Sequence, residues 1–160
     1  MLISPEPKPQ TKTSPGVKVK GVDNILIRFS QCCNPLPGDE IIGFVTRGRG
    51  VSIHRTDCRE LIGLSLKDKD RLIEVQWEEN NYSVYPVDLE IVGLDRPRLV
   101  TDVMNVIMET RTHMLGMNAR VSKDKTANIR LKIEAKNLEH LNYVVQRIRR
   151  VKDISLVERI

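Results

Sequence analysis

Three thiols and an imidazole are the residues of this 160-residue chain best suited to chemistry: Cys32, Cys33, His54 and Cys58. They run Cys-Cys, then twenty residues, His, three residues, Cys. These types suit Zn²⁺, which takes four nitrogen or sulfur ligands in a closed tetrahedral site. The His-x₃-Cys spacing fits a strand end running into a short helix. The adjacent cysteines are harder to place, because neighbouring side chains on an extended chain point to opposite faces. An irregular turn of the sort Pro35 and Pro37 permit has to swing both sulfurs toward one ion. A second reading stays open, with the cysteines as small buried hydrophobes and His54 satisfied locally. Four protein ligands leave no open coordination position, so a catalytic zinc is not expected.

Arg47, Arg49, Arg55 and Arg59 crowd the same stretch, with Asp57 the one acid among them. Guanidinium forks match phosphate oxygens, and Gly48 and Gly50 let a backbone approach closely. The stretch therefore reads either as an RNA-backbone contact or as a solvated basic hairpin. Further on, Gly93-Leu94-Asp95-Arg96-Pro97 leads into a predicted helix, whose free N–H groups and dipole favour a carboxylate. That turn is either a ligand site or a plain connection. Arg147, Arg149, Arg150 and Lys152 end a predicted helix, where the dipole also favours positive charge. His113 and His140 stand apart from any nucleophile or paired carboxylate, and no catalytic residue is predicted.

Composition narrows the classes. The net charge of +5 combines +1 over residues 1–16, zero over 17–79 and +4 over 80–160. That is compatible with an RNA partner and does not require one. No apolar run approaches the ~20 residues that span a bilayer, and the N-terminus has no apolar signal core. Three cysteines, two of them adjacent, make a poor disulfide framework and favour a reducing cytoplasm.

The elements needed to position these residues can be read from periodicity. Residues 1–16 carry four prolines among polar residues and are expected to be a disordered linker. Residues 17–79 read as a small β-rich module. Strands are expected over 24–29, 41–46, 51–54 and 72–77, with one short helix capped by Thr56 or Asp57. A module of ~60 residues has a thin core and needs a metal or a neighbour. Residues 80–160 alternate cleanly. Val87, Leu89 and Ile91 form one strand, Leu115 to Val121 a second and Ala127 to Ile133 a third, with the last over 151–160. Helices carry Leu99 to Ile107 and Leu138 to Ile148. Asp95 is expected to cap the first helix and Asn137 the second. The order β-α-β-β-α-β is the ferredoxin-like plan, so the fold class is α+β.

The run Ile27 to Asp39, with its Cys-Cys-Asn-Pro-Leu-Pro-Gly-Asp, continues through Thr46-Arg47-Gly48-Arg49-Gly50 and His54-Arg55-Thr56-Asp57-Cys58. It resembles the C-terminal region of the long RelA/SpoT homologues, the stringent-response enzymes that make and degrade (p)ppGpp. The resemblance implies a zinc-finger or ribosome–intersubunit module over 17–79 and an ACT domain over 80–160. It implies no catalysis here, since the family's synthetase and hydrolase domains lie N-terminal to this region. It further implies ribosomal RNA and deacylated A-site tRNA as partners of the first module. For the ACT domain it implies branched-chain amino acids (valine, isoleucine, leucine), held near Gly93, Leu94, Asp95 and Arg96. Met117 and Asn118 of a neighbouring strand would complete that site, often across a homodimer interface. This chain has Pro97-Arg98 where the commoner ACT turn has Pro-Gly. The alternative is an amino-acid-responsive dimerisation and autoinhibition module without direct RNA contact.

Overall fold

The computed structural model describes residues 16–19, 25–48, 50–64, 66–79 and 83–160. The expected linker, Val22, Asn24 and Arg49 lie outside these residues, apart from Gly16.

The first module is built on short strands. β1 (Val17–Val19) pairs antiparallel with β6 (Val75–Trp77). β2 (Ile27–Phe29), β3 (Ile41–Thr46), β4 (Gly50–Arg55) and β5 (Leu72–Ile73) form a four-stranded sheet in the order β2-β4-β3-β5. β2 runs parallel to β4, and β3 antiparallel to both of its neighbours. Two short helices follow β4, α1 (Arg59–Ile62) and α2 (Leu66–Lys69), where one was expected. Cys58, not Thr56 or Asp57, occupies the N-cap of α1, and no side chain caps it. The expected strand over 72–77 breaks at Glu74, so its halves join different sheets. Val17, Val19, Val51, Ile53 and Val75 form the small core between these sheets.

The second unit follows the ferredoxin-like plan. Its strands are β7 (Tyr85–Leu94), β8 (His113–Val121), β9 (Thr126–Ala135) and β10 (Ile154–Arg159), in the order β10-β7-β9-β8 and wholly antiparallel. α3 (Leu99–Glu109) and α4 (Leu138–Arg149) cover one face. Val87, Leu89 and Ile91 point into the core, as their alternation with Asp88 and Glu90 requires. Val103, Val106 and Ile107 from α3 and Leu141, Val144 and Ile148 from α4 meet them. Asn137 caps α4 as expected, accepting from the His140 N–H at 2.7 Å. His140 is locked from both sides. Its Nδ1 accepts from the Lys136 N–H at 3.1 Å, and its Nε2 lies 3.0 Å from Thr112 Oγ1. Burial first, then the Lys136 charge, lowers its pKa, so it serves the fold as a neutral ring.

The start of α3 departs from expectation. Gly93 and Leu94 are the last residues of β7, and the N-cap is Arg98 rather than Asp95. Arg98 is held at φ 69°, the left-handed region that suits glycine. Gly93 is needed for close approach, since a Cβ there would come within 2.6 Å of the Asp153 carbonyl oxygen.

The two units share packing. Leu36, from the loop between β2 and β3, is fully buried in the core of the second unit. Phe29, Trp77 and Tyr85 form a ring cluster across the junction. Phe29 and Trp77 stack at 5.7 Å, and both meet Tyr85 edge-on at 5.2 and 5.6 Å. Such pairs contribute roughly 0.5–1.5 kcal/mol each beyond their buried area.

Arg98→Gly relieves a left-handed side chain costing roughly 1–2 kcal/mol, part of which is offset by the greater freedom of glycine when unfolded. The variant is expected to be more stable by about 0.5–1 kcal/mol, raising Tm by about 1–4 °C in a thermal melt. An unchanged or lower Tm contradicts the strain at this turn.

Candidate metal centre and its surroundings

The structure gathers Cys32, Cys33, His54 and Cys58, with their four ligand atoms all within 4.8 Å of one another. The turn Gln31–Cys33 settles the difficulty of adjacent cysteines, because the chain is not extended there. The two neighbouring sulfurs lie 3.9 Å apart. Cys32 Sγ is 3.5 Å from Cys58 Sγ and 3.4 Å from His54 Nδ1, and Cys33 Sγ is 4.0 Å from that nitrogen. A tetrahedron with zinc–sulfur bonds of about 2.3 Å separates its sulfurs by about 3.7 Å. The observed spacings bracket that figure, so the donor set fits a soft divalent metal.

The surroundings point the same way. His54 Nε2 lies 2.9 Å from Ser30 Oγ and 3.1 Å from Ser52 Oγ. Those hydroxyls orient the ring so that Nδ1 faces the sulfurs, as the outer partner of a metal-bound histidine does. The Arg55 backbone N–H donates to Cys33 Sγ at 3.4 Å. Burial, then the Cys58 hydrogen bond and the neighbouring cysteines, pushes the Cys32 thiol up to about 12. Burial likewise raises Cys33, against the Arg55 N–H that lowers it. His54 is lowered by burial, with Glu60 opposing. Crowded, partly buried thiols resist carrying charge, and a divalent cation among them reverses that preference.

Ser52 was legible in principle, since it sits two residues before His54 on the same face of β4. Ser30 carried no such signal. A cleft of 630 Å³ opens beside the cluster, lined by Cys32, Arg55, Arg59, Glu60, Glu90 and Arg159 among others. It lies between the first module and the sheet of the second.

Among the described residues, Arg47, Arg55 and Arg59 do not form one patch. Arg47 is exposed at the β3–β4 tip, while Arg55 and Arg59 lie at the other end of β4, five residues or about 16 Å away. Arg55 is held by Asp57 through contacts of 2.9 and 3.2 Å.

The turn residues of the second unit are also accounted for. Arg96 pairs with Asp102 at 2.9 Å and Asp153 at 3.0 Å, and donates to the Lys152 carbonyl. Asp95 is exposed, its N–H bonded to the Lys125 carbonyl. Met117 pairs with Leu131 and Asn118 with Arg130, whereas Gly93 pairs with Ala127. Met117 therefore lies four ladder positions from Gly93, and a single chain does not bring the two halves of that expected site together. Asn118 instead lines an open groove with Arg120, Ser122, Asn128 and Arg130.

Among the described residues, no helix is long and apolar enough to cross a membrane.

Two family models match: the RelA/SpoT RIS domain over residues 17–78 and the ACT domain over 81–159. The chain is 39% identical over 153 residues to a GTP pyrophosphokinase of Streptomyces coelicolor, covering 96% of this chain and 18% of that protein. It is 36% identical to the bifunctional (p)ppGpp synthase/hydrolase RelA of Mycobacterium tuberculosis, covering 96% and 21%. To the GTP pyrophosphokinase of Escherichia coli it is 34% identical, covering 92% and 20%. The chain thus spans about a fifth of the length of these relatives. Among solved structures it is similar to the ACT domain from GTP pyrophosphokinase of Chlorobium tepidum, with 24% identity and a TM-score of 0.45, over 49% of this chain and 100% of that one.

Replacing Ser30 and Ser52 together by alanine removes both ring partners of His54. Zinc affinity, measured by chelator competition, is expected to fall by about 10–100-fold; unchanged affinity would mean that the serines do not orient a ligand.

The chain belongs to the RelA/SpoT family, of which it carries the RIS domain followed by the ACT domain.

Proposed function

We propose that this chain is the regulatory C-terminal region of a cytoplasmic stringent-response protein whose catalytic domains, N-terminal to it, make or degrade (p)ppGpp. The observation that carries this is coverage: RIS and ACT models account for 17–78 and 81–159, within relatives of which the chain is about a fifth. In this reading the RIS module seats the parent on the ribosome, against ribosomal RNA and deacylated A-site tRNA. Cys32, Cys33, His54 and Cys58 hold zinc, which braces a module with few buried residues of its own. Arg47 at the β3–β4 tip, with Arg49, Arg55 and Arg59, supplies contacts to phosphate that position without reading sequence. The ACT domain binds a branched-chain amino acid near Gly93–Arg96 and passes its occupancy to the catalytic domains. That coupling requires unequal affinity for two states.

A second reading, amino-acid-responsive dimerisation and autoinhibition without RNA contact, is favoured by one feature. β8 is a nine-residue edge strand carrying Met117 and Asn118, with Leu115 and Val121 exposed beside them. A second copy paired there could bring Met117 and Asn118 to the Gly93 turn that a single chain leaves four positions away.

Co-sedimentation with ribosomes across a salt titration separates the readings. For the first, Arg47→Glu with Arg49→Glu weakens binding and lowers the log–log salt slope by about 1.5–2. For the second, wild-type chain fails to sediment, and valine, isoleucine or leucine shifts it from monomer to dimer. Sedimentation indifferent to both substitutions would defeat the assigned RNA contacts.

A further inference from the structure

The loop that supplies two of the four thiol and imidazole ligands is also the loop that docks the RIS module onto the ACT domain. Cys32 and Cys33 open it, and Asp39 closes it. Between them, Asn34 donates to Asp88 Oδ2 at 3.2 Å, Leu36 is buried in the ACT core, and the Pro37 carbonyl accepts the Leu138 N–H at 2.8 Å. Gly38 sits at φ 105°, and a Cβ there would lie 2.8 Å from Leu138 Cβ. All these partners lie at the end of the sheet where β7 begins and β9 and β10 finish.

Arg159, the last residue of β10, closes the loop on itself. Its Nη1 and Nη2 reach Asp39 Oδ1 and Oδ2 at 2.9 and 2.8 Å, and Nη2 also donates to the Asn34 carbonyl at 2.6 Å. Asp39 Oδ2 further accepts the Leu36 N–H at 2.7 Å. One guanidinium therefore holds both ends of the segment 34–39, and the nearer end is the residue directly after Cys33. Both charged side chains are largely buried, at 14% and 10% exposed. Only a planar fork makes this set of contacts; a lysine ammonium does not.

We propose that Arg159 of the ACT domain is a positioning residue for the Cys/His centre of the RIS module, so that metal occupancy and ACT docking are thermodynamically linked through residues 32–39. The inference rests on the metal reading above and goes beyond it by naming what the metal controls. A ligand set that is ordered only when the loop is docked binds metal more tightly when docked. By reciprocity, metal then tightens docking by the same factor.

Two arms test this on the whole chain, with Zn²⁺ as the probe. Leu138 is the first residue of α4, so its amide has no partner within the helix, and its protection reports docking through the Pro37 carbonyl alone. Zinc is expected to slow its hydrogen exchange at least fivefold relative to the zinc-free chain. In the second arm, Arg159→Gln and Arg159→Lys are each expected to weaken zinc affinity at least fivefold. With Asp39→Asn in a double-mutant cycle the losses are non-additive. Should Arg159→Gln unfold the ACT domain, the wild-type exchange arm decides alone. Zinc that binds without slowing Leu138 exchange overturns the linkage and spares the metal reading. Failure of the wild-type chain to bind zinc overturns both.

Discussion

The carboxylate of Asp39 and the guanidinium of Arg159 set the terms for everything around them. They are 120 residues apart in sequence and meet at a largely buried junction. Taking two charges out of water is costly, and a buried pair adds little net stability over an apolar pair of the same shape. Its effect is on uniqueness. Breaking one partner leaves the other charged and buried, at a cost of about 3–5 kcal/mol, so alternative seatings of the loop are strongly disfavoured. The Asn34 carbonyl and the Leu36 N–H are fixed by the same two groups. Leu36 can fill the ACT core because this polar frame aims it there.

The unequal size of the two cores explains why such a junction is needed. Among the described residues, the ACT core cluster holds eighteen buried residues and the RIS cluster five. Five buried aliphatic side chains, with six partly buried hydrophobics packed against them, make a thin core for some sixty residues. The RIS module draws further support from outside that cluster. Phe29 and Trp77 lean on Tyr85, Leu36 enters the larger core, and the Trp77 indole N–H donates to the Asp39 carbonyl at 3.0 Å. A metal among the four ligands would be a further cross-link of the kind small modules use. In this view the Cys/His centre and the ACT domain are two supports of one weakly self-sufficient fold.

How much of this could be read from the residues depended on the range of each signal. The ACT plan was legible because Val87–Leu89–Ile91 and Ala127–Ile129–Leu131 alternate, and because α3 and α4 carry apolar residues at helical spacing. Asn137 was legible as a cap from its local chemistry. Asp95 was not, because the chain stays extended through Leu94 and reaches α3 by a left-handed Arg98, a conformation with no sequence signature when the residue is not glycine. The single strand expected over 72–77 failed at Glu74, where the chain passes from one sheet to another. The four metal-type residues were visible by kind, but their convergence needed the turn at Gln31–Cys33. Ser30, Asp39 and Arg159 could not be found, since their roles arise from contacts across 24 and 120 residues that leave no periodic trace. The four arginines looked like one patch in sequence because β4 is short on paper; its length in space parts Arg47 from Arg55 and Arg59.

If the RIS and ACT portions hold each other up, they unfold as one cooperative body. Differential scanning calorimetry of the purified chain tests it most directly. A single endotherm with equal calorimetric and van't Hoff enthalpies is expected. Two resolved transitions, with the RIS portion melting alone while the ACT domain stays folded, would contradict it.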